Sequence, residues 1–330
     1  MRDRDVTTTD HQWFGENGAQ RRLWIKKRHE LLRGVRAFFD RADFVEVETP
    51  LVVPSPGLDL HLAAFEVPDA ARNGGARYLI TSPEYQMKRL LSGGFERIYQ
   101  LCKCFRREEL GDHHEPEFTM LEWYRADAGS GAVMADTEQL VESLAVAICG
   151  TTQVPGTGGG TVDVRAPWPR MTVDDAFRAY VGRSMWDVLP DEEAFFRAYV
   201  DHIEPNLGNE RPVFLVEWPA SMASLARLLP HNPKLADRFE AYVGGVELCN
   251  GFGELTDPAE QRARLLRDQD ARRAAGKPVY PIDERFLAAL EAGMPPSAGN
   301  ALGIDRLLAF LLAAPSIQDI IAIPNARCQE

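Results

Sequence analysis

Apolar residues first fall into a helical rhythm where Leu31, Leu32, Val35, Phe38 and Phe39 recur at three- and four-residue spacing. That period predicts a helix from Arg21 to about Arg41. The rhythm then changes. FVEVETP alternates apolar residues with glutamates until Pro50, the pattern of a half-buried strand. RYLITSPEYQMKRLLSGG predicts a short strand and then a helix, with Ser82 as N-cap, Pro83 in the first turn and Gly93-Gly94 as the stop. IYQLCKCFRREE predicts a long strand with Cys102, Cys104, Arg106 and Glu108 on one side. FTMLEWY predicts its partner, with Phe118, Met120, Glu122 and Tyr124 sharing a side. The loop between them, LGDHHEPE, exceeds the ~2–5 residues of ordinary hairpin loops, which marks it as functional.

Residues 127–150 pattern as an amphipathic helix, GTTQVPGTGGGTVDV as a flexible connection, and 172–210 as a weakly patterned helical insertion. PVFLVEWP is a buried strand, and RFEAYVGGVELCNGFGEL a second hairpin turned at Gly244-Gly245. A charged helix (PAEQRARLLRDQDARRAAG) follows, and GNALGIDRLLAFLL closes the pattern as glycine turn, strand end and helix. Hairpins mixed with helices predict an α+β fold, a mostly antiparallel sheet flanked by helices. Residues 1–20 read as a polar tail before a single catalytic domain spanning 21–330.

Composition narrows the function. The 330 residues are 45% hydrophobic, enough for a large core, and the net charge is −12. That balance argues against a chain built to grip nucleic acid. No apolar run reaches the ~18 residues of a membrane span, and the N-terminus lacks a signal-like apolar stretch, so a cytoplasmic protein is expected. The five cysteines lack metal-type spacing, and no Walker motif is present.

The chemistry concentrates in the two hairpins. Arg106 carries a planar fork suited to phosphate or carboxylate, and Phe118 a flat face for a base. Glu122 and Tyr124 lie further along that face, able to meet an amine. An Arg106–Glu108 surface ion pair is an equally good account of those two residues alone. Glu240 and Glu247 flank the Gly-Gly turn, and a carboxylate pair of this kind suits Mg2+. Solvated strand residues are the plainer account. Asn250, Phe252 and Glu254 share a phase that Glu247 breaks, so one common site requires a β-bulge between them. Thr81 and Glu84 also match a capping box. His113 and His114 point apart and make a poor metal pair, although one can meet a phosphate.

These segments resemble the ordered motifs of class II aminoacyl-tRNA synthetases. FFDRADFVEVETP resembles the dimer-forming motif 1, FRREE…EPEF…EWY motif 2 and GNALGIDRL motif 3, over residues from about 21 to 325. TSPEYQMKRLL and VELCNGFGEL are similar to the lysyl branch. LEWYR, PASMASLA and the alanine of GNALGIDR resemble a truncated offshoot without the anticodon-binding barrel, whose partner is elongation factor P. The resemblance implies ATP-dependent activation of (R)-β-lysine or lysine as an acyl-adenylate, and its transfer to a lysine side chain of that factor. It implies Mg2+, a homodimer through residues 21–50, and no stable tRNA binding. A tRNA-charging enzyme and a catalytically inactive binding subunit are the alternatives.

By motif, Arg106 and Arg306 would be catalytic. Arg106, Arg107, Glu108, Glu115, Phe118, Glu247, Leu248, Gly303 and Arg306 would bind ATP, with Phe118 and Arg306 on opposite faces of the adenine. Ser82, Pro83, Glu84, Glu122, Tyr124, Asn250, Phe252, Glu254 and Ala301 would line the amino-acid pocket, and Glu240 and Glu247 would hold the metal. Two positions depart from the branch. Glu115 stands where related loops carry asparagine, and Ala301 where lysyl-tRNA synthetases carry glycine.

Overall fold

A computed structural model describes residues 18–68, 75–156 and 159–324. Helix α1 (Gly18–Arg41) follows its predicted path but starts early, so residues 18–20 belong to it; the rest of the expected tail lies outside the described residues. Leu31, Val35 and Phe39 are fully buried along one face, as their four-residue spacing requires. The strand expected over FVEVETP shrinks to β1 (Val45–Glu46), which pairs in parallel at the sheet edge. Val47 gives one further N–H to Tyr99 O. Strands β2 (Val52–Val53) and β3 (Tyr78–Leu79) pair with each other. Helix α2 (Glu84–Ser92) begins one residue late, with Pro83 as its N-cap. The capping box does not form, because Thr81 Oγ1 donates to Pro56 O instead.

Strands β4 (Arg97–Phe105) and β5 (Glu117–Ala126) pair antiparallel, with Cys104 opposite Phe118 and Gln100 opposite Glu122. β4 ends at Phe105, so strand alternation does not carry through Arg106 to Glu108. After α3 (Ser130–Cys149), the expected flexible connection is a short hairpin of β6 (Gln153–Pro155) and β7 (Thr161–Asp163). Val154 and Val162 are fully buried, and their anchoring outweighs the intervening glycines. β8 (Arg170–Thr172) leads into the insertion, a set of short helical turns that includes α4 (Val173–Ala176), α5 (Met185–Val188) and α6 (Glu192–Ala198). Its Phe177, Phe195 and Tyr199 pack on Val213, Leu215 and Trp218 of β9 (Val213–Pro219).

β10 (Leu228–Leu229) pairs with β11 (Asn232–Val243), which turns into β12 (Val246–Gly253). Gly244 and Gly245 both have positive φ, 55° and 77°, the conformation a tight hairpin turn demands. α7 (Pro258–Ala274) is the charged helix, capped by Asp257. α8 (Glu284–Glu291), capped by Asp283, was not expected from the pattern. β13 (Ser297–Gly303), α9 (Ile304–Leu311) and α10 (Ile317–Ile320) follow.

The main sheet has nine strands ordered β1-β4-β5-β13-β12-β11-β9-β8, with β10 beside β11; only the β1–β4 and β8–β9 pairs are parallel. Leu121 and Trp123 of β5, and Ala298 and Leu302 of β13, join α1, α3 and α9 in one core. Strand alternation turns Phe118, Met120, Glu122 and Tyr124 to the opposite face, where the polar site forms.

Candidate active site

Two cavities, of about 460 and 510 Å3, open on that face. Ten residues line both, among them Arg106, Met120, Arg238, Asn250 and Ala301, so the two spaces meet along this seam.

The first cavity gathers Arg106, Glu115, Phe118, Leu248, Gly303 and Arg306, with Glu240 and Glu247. Arg106 stacks its guanidinium 5.0 Å from the Phe118 ring centroid and donates to Glu109 Oε1 at 3.3 Å. Arg106, not Arg306, therefore covers a face of Phe118 in this structure. Arg306 instead donates to Glu247 Oε2 at 3.2 Å and to the Glu247 carbonyl at 3.0 Å, and its Nη2 lies 2.7 Å from His114 Nε2. Burial, then the charge of Arg306, depresses the His114 pKa, which suits a neutral ring accepting from the arginine. Arg107 and Glu108 line neither cavity. They pair with each other in solvent, and Glu109, one residue on, turns inward. Glu115 is buried, only 1% exposed, so its carboxylate does not escape to solvent.

The bulge required by the glutamate phase is present. Tyr242 pairs with Glu247 and Ala241 with Cys249, leaving Leu248 as the extra residue of β12. It swings Glu247 onto the cavity side already occupied by Asn250. Glu240 is heavily committed: Oε1 accepts from Arg238 at 2.5 Å and Asn250 at 3.1 Å, and Oε2 from the Tyr242 hydroxyl at 2.6 Å. Little lone-pair capacity remains for a metal. Glu247 is more open, and Glu204 of the insertion joins it. Burial, then Glu247 and Glu240, push Glu204 up to about 7. Among the described residues no group of three or more His, Cys, Asp or Glu is placed to hold a metal ion by itself. This donor set fits a cation that brings phosphate oxygens with it, as Mg2+ does.

The second cavity gathers Ser82, Glu84, Glu122, Tyr124, Phe252 and Glu254 beyond the seam; Pro83 does not line it. Ser82 Oγ donates to Glu122 Oε1 at 2.6 Å, and the Tyr124 hydroxyl to Oε2 at 3.0 Å. Burial, then Glu84, push Glu122 up to about 8 despite these bonds. Burial also raises Glu254, to about 8. Gly299 makes the cage possible, since a Cβ there would strike the Tyr124 ring and Glu254 Oε1. An acidic, buried cage of this kind is built for ammonium groups.

Sequence reasoning missed several of these groups. Arg238 was legible, because it lies two residues before Glu240 on the same strand and so shares its face. Glu204 sits in the weakly patterned insertion and gave no signal.

Two cavities joined at an arginine, on an antiparallel sheet closed by a glycine-rich strand and helix, define a class. Residues 8–327 match the family of class II tRNA synthetases (D, K and N), and the chain belongs to that family. It is 40% identical over 311 residues to a Proteus mirabilis protein named elongation factor P–(R)-beta-lysine ligase, covering 92% of this chain and 95% of that one. Proteins of the same name from Edwardsiella ictaluri and Vibrio cholerae are each 41% identical, over 90% and 92% of this chain and 94% and 95% of theirs.

Proposed function

We propose that this protein is an ATP-dependent ligase that activates (R)-β-lysine, or lysine, as its adenylate and transfers it to a lysine side chain of elongation factor P. The observation that carries the reading is the seam. Arg106 lines both of two adjoining cavities, one of about 460 Å3, and one of about 510 Å3 that is lined by Glu84, Glu122 and Glu254. The names of relatives at about 40% identity support the same acceptor.

In the first step the amino-acid carboxylate, already ionised, attacks the α-phosphorus and pyrophosphate leaves. Arg106, at the seam, faces both reacting groups and stabilises the charge that develops on the phosphorus oxygens. Arg306 serves the outer phosphates, held in place by Glu247 and His114. Mg2+ would be held by Glu247 with Glu204, and Glu240 behind them, and would supply positive charge to the triphosphate. The Glu122–Glu254–Glu84 cage holds the amines and so fixes the carboxylate at the seam. In the second step the acceptor amine attacks the acyl carbon, AMP leaves, and an amide forms.

Pyrophosphate exchange into ATP tests the activation step. We expect exchange with (R)-β-lysine and, more weakly, α-lysine. No exchange with either, or equal exchange with neutral amino acids, would overturn the reading.

A further inference from the structure

A fourth charged group stands behind the acidic end of the second cavity, and the reaction above does not use it. Lys88 of α2 is fully buried, one turn after Glu84. Its ammonium lies 2.5 Å from Glu84 Oε1 and 2.5 Å from Glu254 Oε2, with the Phe252 ring centroid 6.0 Å away. Burial opposes its charge, but Glu254 and then Glu84 outweigh that and raise its pKa. An ordinary surface ion pair on a helix would not need such a position. A buried ammonium is retained only where its partners require it.

The charge count gives it a role. With a dication bound, whose ammonium groups displace the protons that burial holds on Glu122 and Glu254, the carboxylates of Glu84, Glu122 and Glu254 carry three negative charges at the inner end of the cavity. Lys88 cancels one and leaves two, which matches a ligand with two ammonium groups. It also occupies one oxygen of Glu84 and one of Glu254, so each has a single oxygen left for the ligand.

We propose that Lys88 is the residue that sets the charge selectivity of the amino-acid cavity, as an internal counter-ion that positions Glu84 and Glu254 for a doubly cationic substrate. The inference rests on the second cavity being the amino-acid site. Without Lys88 the cage is too negative by one charge, and without Glu254 too positive by one. Removing both charges together restores the balance.

The test compares Glu254→Gln with the double variant Glu254→Gln/Lys88→Met in pyrophosphate exchange, using α-lysine and norleucine, which has one ammonium. Replacing a buried ion pair by a neutral pair of similar volume is generally tolerated, so the double variant should fold, with ATP affinity and melting temperature near those of the wild type. Glu254→Gln alone should lose about tenfold or more in its lysine-to-norleucine preference, through KM for lysine rather than kcat. Adding Lys88→Met should recover roughly tenfold of that preference, a coupling that a double-mutant cycle reads directly. A double variant as poor as the single, or one that fails to fold, would overturn the inference and leave Lys88 a structural residue. A wild type that exchanges with no diamino acid would instead overturn the assignment of the cavity itself.

Discussion

At the scale of single residues, two departures from the lysyl branch carry separable consequences. Glu115 is buried and lines the first cavity, as Arg106 and Arg306 do, so under the proposed function triphosphate oxygens enter the space that it borders. Like charges ~4 Å apart at an effective dielectric of ~20 repel by up to ~4 kcal/mol, less when a cation intervenes. Glu115→Asn should therefore lower KM for ATP and leave amino-acid choice unchanged. A higher KM in that variant would show that the carboxylate assists the metal or its waters. Ala301 lines both cavities at the seam, where an added methyl displaces a ligand in a close-packed wall. Ala301→Gly should raise relative use of α-lysine over β-lysine, by at most ~10–200-fold; an unchanged ratio places the selectivity elsewhere. Glu122 predicts a pH dependence. Raised to about 8, it holds a proton below that value and must lose it to bind an ammonium. KM for the diamino acid should fall as pH rises from about 6.5 toward 8, by up to about tenfold per unit. Glu254, raised to about 8 as well, titrates over the same range, so Glu122→Gln should reduce that slope without abolishing it, and a KM that climbs over the same range would contradict the cage.

At the scale of elements, the site depends on how strands approach one another. Gly299 of β13 lies against Tyr124 of β5 and Glu254 after β12, with no room for a Cβ. Gly299→Ala should destabilise the protein by about 1–3 kcal/mol and raise KM for the amino acid more than KM for ATP. A thermal melt with both constants checks it, and equal effects on the two would mean a general loss of fold. These elements were largely legible in the sequence. Phase placed Phe118, Glu122 and Tyr124 on one face, and the same phase, broken at Glu247, demanded the bulge that Leu248 supplies. What escaped was set by tertiary context. The turn after Phe105 rotates Glu108 outward and Glu109 inward, which strand alternation cannot foresee. Buried valines turn a glycine-rich connection into the β6–β7 hairpin. Lys88 was in plain view, four residues after Glu84 on a helix, but only the packing of Glu254 against it shows that the pair is buried.

At the scale of the whole molecule, one sheet presents two chemically different spaces and the arginine between them. Helices α1, α3 and α9 pack on one face, while the insertion lies over the other and brings Tyr199 and Glu204 to the first cavity. No helix among the described residues is long and apolar enough to cross a membrane. The net charge of −12 gives little general attraction for tRNA, in keeping with the protein acceptor of the proposed function. The most direct measurement follows labelled (R)-β-lysine in a mixture of this enzyme, ATP, elongation factor P and lysine-specific tRNA. Label is expected on the factor, lost when the acceptor lysine of its loop is replaced, with little on the tRNA. Efficient labelling of the tRNA with an unlabelled factor would contradict the proposed function.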